Sequence, residues 1–120
     1  GTGTAARQGP DVGTTDFVKL NNQFVVPIVA EDRVASMVVL SLSLEVPTGG
    51  SAGVYQREPK LRDTLLQVLF DHANAGGFAG AFTAGPNMAI LRTALREAAN
   101  GVLGGAVRGV HITDIARQDM

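Results

Sequence analysis

The chain has 120 residues and a mass of 12.4 kDa, about one domain by length. Hydrophobic residues make up 45% and charged residues 18%, which excludes a disordered chain. Ten Lys and Arg against eleven Asp and Glu leave no basic field for a phosphate backbone, and the lack of cysteine excludes a disulfide framework, a thiol nucleophile and a Cys-based zinc site.

Residues 1–16 carry Val12 as their only large apolar side chain, and Gly1, Gly3, Gly9, Pro10 and Gly13 break any regular period. This stretch reads as a flexible linker or a cloning remnant, with the domain running over 17–120. Phe24–Val29 is short and β-branched, a strand that Pro27 confines to an edge or a bulge. Glu31-Asp32-Arg33 is a polar break of hairpin length. Val38, Leu40, Leu42, Leu44 and Val46 then alternate with Val39, Ser41, Ser43 and Glu45, a period-two strand with one buried face. Pro47-Thr48-Gly49-Gly50 ends it.

Pro59 suits a first helical turn, and Leu61, Leu65, Val68, Leu69 and His72 follow with helical spacing. Leu66 and Phe70 widen that apolar arc, which predicts a helix packed on two sides. Ala75-Gly76-Gly77 closes it. A Gly/Ala-rich loop leads to a second amphipathic helix through Met88, Leu91, Leu95, Ala98 and Val102, stopped by Gly104-Gly105. Val107–Gln118 reads as a third strand. The expected fold class is α+β: a small three-stranded sheet with two main helices, in β-β-α-α-β order, the helices on one face.

Chemistry is thin along this layout. Gly49-Gly50-Ser51-Ala52-Gly53 fits G-x-S-x-G between a strand and a helix, and Asp63 or Asp71 with His72 or His111 would follow in the order of a serine-hydrolase triad. Pro47-Thr48 already ends the strand before Ser51, however, and so small a sheet offers no wide parallel platform for an elbow. The stretch reads better as a loop. His72 and His111 have no metal-ligand spacing, so no metal or cofactor is expected. Gly76–Gly85 lacks the ending of a phosphate-binding loop and reads as a hinge or a packed surface loop. The carboxylate of Thr113-Asp114, in the last strand, would discourage stray edge pairing. The chain has no stretch of ~20 nearly continuous apolar residues, the length needed to span a membrane as a helix.

Three pieces together resemble the FliL family of flagellar basal-body proteins. They are the hairpin Phe24–Val29 and Val39–Val46, the helix start Pro59-Lys60-Leu61-Arg62-Asp63-Thr64-Leu65-Leu66, and the Leu91–Asn100 helix with the ending Val107–Gln118. The likeness runs from Phe17 to Gln118. It implies a domain of the stomatin type (SPFH) and a non-enzymatic motor accessory protein of motility and chemotaxis. Such a protein is single-pass in the bacterial inner membrane, with this domain in the periplasm at the flagellar basal body. It would form a homo-oligomeric ring around stator units of the MotA/MotB type and support torque generation. The membrane helix of the family lies outside this chain. Candidate oligomer or partner contacts are Pro59, Arg62, Asp63, Leu66, Phe70, Thr113 and Asp114. The competing readings are a stomatin-like scaffold of another envelope machine and, more remotely, a small hydrolase using Ser51.

Overall fold

The computed structural model describes residues 14–120. In chain order the elements are β1 (Thr15–Lys19), β2 (Phe24–Ala30), β3 (Arg33–Pro47), α1 (Ser51–Gln56), α2 (Glu58–Asn74), α3 (Gly85–Leu103) and β4 (Gly109–Asp119). The architecture is α+β, with two long helices on one face of an antiparallel sheet.

The sheet has four strands rather than the expected three. β3 is its spine: β4 occupies one edge over Ser36–Glu45, while β2 and β1 follow one another along the other edge. The sheet is therefore three strands wide, and the extra strand extends β2 rather than broadening the layer. β1 starts at Thr15, so the expected linker gives up its last two residues, and residues 1–13 of it lie outside the described residues. Val18 and Leu20 are the buried partners that draw this stretch onto β3. Pro27 sits in β2, which pairs only with β3, the edge position where a sheet tolerates a proline.

The alternation read from β3 holds. Val38, Leu40, Leu42, Leu44 and Val46 are all buried against the helices, where each contributes about 2 kcal/mol relative to exposure. Leu61, Leu65 and Leu69 of α2 and Met88, Leu91, Leu95 and Ala99 of α3 close the core from the other side. Leu66, Val68 and Phe70 are half-buried against the same core, the wide arc anticipated for α2.

Two irregularities shape the strands. One residue of β3 bulges opposite Ile28 and Val29. In β4, Asp114 at φ +53° and Ile115 together oppose the single residue Leu40, a second bulge. The unexpected α1 follows a tight turn in which the Gly50 N–H donates to the Pro47 carbonyl (2.9 Å) and Gly49 takes φ +88°. Only Val54 of α1 is buried.

Both expected glycine stops hold. At the end of α2 the Gly77 N–H donates to the His72 carbonyl and the Gly76 N–H to the Ala73 carbonyl, with Gly76 left-handed, which is a Schellman motif. Gly77 has a second reason to be glycine, because a Cβ there would lie 2.2 Å from His72 Nε2. The imidazole is sealed by Gly77 and stands edge-on to Phe78, ring centroids 4.8 Å apart. Burial holds its pKa below the ordinary 6.5, outweighing a backbone hydrogen bond at Gly77 that acts in the opposite direction. Nε2 has no hydrogen-bond partner, as suits a neutral ring.

The unfolded chain therefore takes up this proton at a higher pH than the folded one. The stability owed to a neutral His72 is complete above pH 6.5 and is lost as the pH falls from there through the lower folded value. Urea titrations at pH 7 and pH 5 should show a drop in midpoint for the natural chain and a smaller drop for His72→Leu. Equal drops would remove His72 as a source of acid sensitivity.

Candidate functional site

The clearest cluster of functional interest lies where α2 begins beside the crossing from β1 to β2. Pro59 occupies the first turn of α2 and is exposed. Arg62, one turn on, reaches across to the crossing. One guanidinium nitrogen donates to the Asn22 carbonyl (2.9 Å), another donates to the Gln23 carbonyl, and the plane stacks 4.1 Å from the Phe24 ring centroid. The fork satisfies two carbonyls at the point where the chain leaves β3 and Asn22 turns to positive φ. Arg62 is thus a clasp within the protomer. Asp63 faces solvent. Leu66 and Phe70 offer only part of their surface, because the core takes the rest.

The β4 candidates sit elsewhere. Thr113 is exposed, and its hydroxyl donates weakly to the Ser41 carbonyl (3.4 Å). Asp114 is exposed at the bulge. The sheet face turned away from the helices carries Glu45 and His111, joined at 3.0 Å, with Phe17 against the imidazole at 5.7 Å. The candidate contacts therefore form two groups, one along α2 from Pro59 to Phe70 and one on β4.

The serine-hydrolase arrangement does not form. Ser51 opens a six-residue helix, and Gly49 and Gly50 serve the turn before it rather than a nucleophile elbow. A Cβ on Gly50 would lie 2.9 Å from the Pro47 carbonyl oxygen. His111 bonds Glu45 and His72 packs on Phe78, so neither imidazole is directed to the serine. Among the described residues no group of three His, Asp or Glu side chains could hold a metal ion, and no helix is long and apolar enough to cross a membrane.

Sequence reasoning missed the side chains that bond to distant backbone. Arg57 donates to the Val102 carbonyl at the end of α3 (2.9 Å), beside clefts of about 410 and 540 Å³ on either side of it. Asn100 pairs with Val107 through both its amide nitrogen and its carbonyl oxygen, at 3.0 and 2.7 Å. Asn87 donates to the Gly77 and Phe82 carbonyls, and Arg117 donates to the Phe78 and Gly80 carbonyls while lying over the Phe82 ring. These four contacts make the Gly/Ala-rich segment a packed surface loop. Its glycines gave no sign of them, because the partners lie 5 to 39 residues away.

Fold and surface together define a small α+β module in which several polar side chains hold its own backbone. The chain belongs to the FliL family: the family model for flagellar basal body-associated protein FliL matches residues 17–118, from within β1 to the penultimate residue of β4. It is a family of flagellar accessory proteins rather than of enzymes. A comparison with curated protein sequences finds no match.

Replacing Arg62 by Met should lower stability by about 1–2 kcal/mol, through two lost charge-assisted hydrogen bonds and the stacked ring. Arg62→Lys should recover little of it, since an ammonium cannot fork. Urea denaturation measures both. A neutral Arg62→Met would mean the clasp contributes nothing to folding.

Proposed function

We propose that this chain is the periplasmic domain of a single-pass inner-membrane protein that assembles in copies around MotA/MotB-type stator units of the flagellar motor. The observation that carries the reading is the family match over residues 17–118, which takes in all three helices and nearly all of the sheet. On this reading the domain has the stomatin-type fold and works by geometry. A ring of copies braces the periplasmic linker of the stator and favours its extended, engaged form.

A brace shifts that equilibrium only if it binds the engaged form more tightly than the plugged one. The surfaces proposed for such contacts are the exposed Pro59 and Asp63 at the start of α2 and Thr113 and Asp114 on β4, with the outer parts of Leu66 and Phe70. Arg62 acts behind them by fixing the β1–β2 crossing against α2.

The test is an in-frame deletion of the gene in its source bacterium, with stator units fluorescently tagged. Slowed or lost swimming, fewer stators at the motor and rescue by the anchored full-length protein are the expected results. Normal swimming and normal stator occupancy in viscous medium would overturn the stator role and leave a scaffold of another envelope machine.

A further inference from the structure

The β2–β3 hairpin ends in a turn that is costly for the residues it contains. Glu31 and Asp32 both have positive φ, +53° and +64°, where a two-residue hairpin turn favours Asn-Gly. The chain keeps two carboxylates there instead. Backbone strain retained at an exposed tip points to a use for the side chains. Directly behind the turn, Val29 and Val34 are register partners across the hairpin, so both lie on one face, and they are 64% and 42% exposed. The tip thus offers an apolar pair next to the charge triplet Glu31-Asp32-Arg33, all exposed.

A matching surface lies on the outer flank of α3. Ile90 is 65% exposed and lines a shallow groove of about 450 Å³ with Ala89, Thr93, Ala94 and Glu97. Arg92 and Arg96 border it, one helical turn apart on the adjoining groove towards β4. Two bases and one acid on α3 thus complement the two acids and one base of the tip. Among the described residues none of these six charged side chains makes an ion pair or hydrogen bond within the chain.

We propose that the hairpin tip of one copy seats on the α3 flank of the next, with Val29 and Val34 against Ile90 and with Glu31-Asp32-Arg33 against Arg92, Arg96 and Glu97. This rests on the reading that copies assemble. The two surfaces differ, so the contact is head-to-tail and propagates from copy to copy, closing into a ring when the rotation permits. A six-residue tip covers far less than the roughly 1,200 Å² of a stable interface, so the contact needs copies held on a plane. It leaves Pro59, Asp63, Thr113 and Asp114 to other partners.

The absence of cysteine makes the test specific. The full chain, carrying an N-terminal His tag, is tethered to vesicles containing nickel-chelating lipid. Self-association is read by energy transfer between dyes placed on the tag, and contacts by mild oxidation of introduced cysteines. Val29→Cys/Ile90→Cys should cross-link into a ladder beyond the dimer, and an equal mixture of the two single variants should stop at dimers. Glu31→Lys/Asp32→Lys on the Val29→Cys chain should cut cross-linking about tenfold, since like charges then meet. Arg92→Glu/Arg96→Glu on the Ile90→Cys chain should restore it. Glu31→Asn/Asp32→Gly should raise the melting temperature and still weaken association, separating the tip's charge from its folding.

Dimers from Val29→Cys alone, as abundant as from the mixture, would overturn the head-to-tail contact. Undiminished energy transfer when every tethered copy carries Glu31→Lys/Asp32→Lys would also overturn it, while leaving assembly of copies intact. No energy transfer for the tethered natural chain would overturn both.

Discussion

Everything in this domain hangs on β3, a fifteen-residue strand with two edges and three partners. A strand of that length cannot be matched by one short neighbour. One edge is given to β4, and the other is shared between β2 and β1, which must therefore break apart between Lys19 and Phe24. The break leaves backbone carbonyls without ladder partners, and the Arg62 fork meets two of them. The same length carries the β2–β3 hairpin out to an end where Val29–Val34 are all exposed. Clasp and tip are both consequences of one long strand.

The polar side chains follow the same economy. Arg57, Arg62, Asn87, Asn100 and Arg117 all bond to carbonyls of other elements or loops. Each closes a helix end, a crossing or the Gly/Ala-rich loop, where no regular secondary structure would supply a donor. Groups committed in this way hold surfaces in fixed relation, as an accessory protein of a large assembly requires. Exposed charged side chains without such partners stand at the hairpin tip, on the outer flank of α3 and at the start of α2, and these are places to look for other molecules.

Much of this was legible in the sequence. The period-two run from Val38 to Val46 named the buried face of β3, and the spacing of Leu61, Leu65 and Leu69 named the core side of α2. Gly76 and Gly104 marked helix ends because each takes a left-handed φ there. β1 escaped because its alternation is only Val18 and Leu20, following a glycine-rich stretch. α1 escaped because one buried residue, Val54, leaves no period to read. The contact candidates were harder. Arg62 looks like any charge on a helix start, and only the fold brings Asn22 and Gln23, about 40 residues earlier, within its reach. The charge match between Glu31-Asp32-Arg33 and the α3 flank was equally hidden, since neither segment is unusual on its own.

Amide hydrogen exchange on the natural chain, free in solution and then tethered to vesicles, tests the central claim most directly: a rigid β3 spine carrying an exposed tip that engages a second copy. In the free chain, Val38–Val46 should exchange only through global unfolding, while Val29–Val34 exchange through local opening. On tethering, Val29–Val34 and the Ile90–Glu97 flank should slow together, with Val38–Val46 unchanged. Equal protection of tip and spine in the free chain, or no slowing at either surface on tethering, would contradict the account.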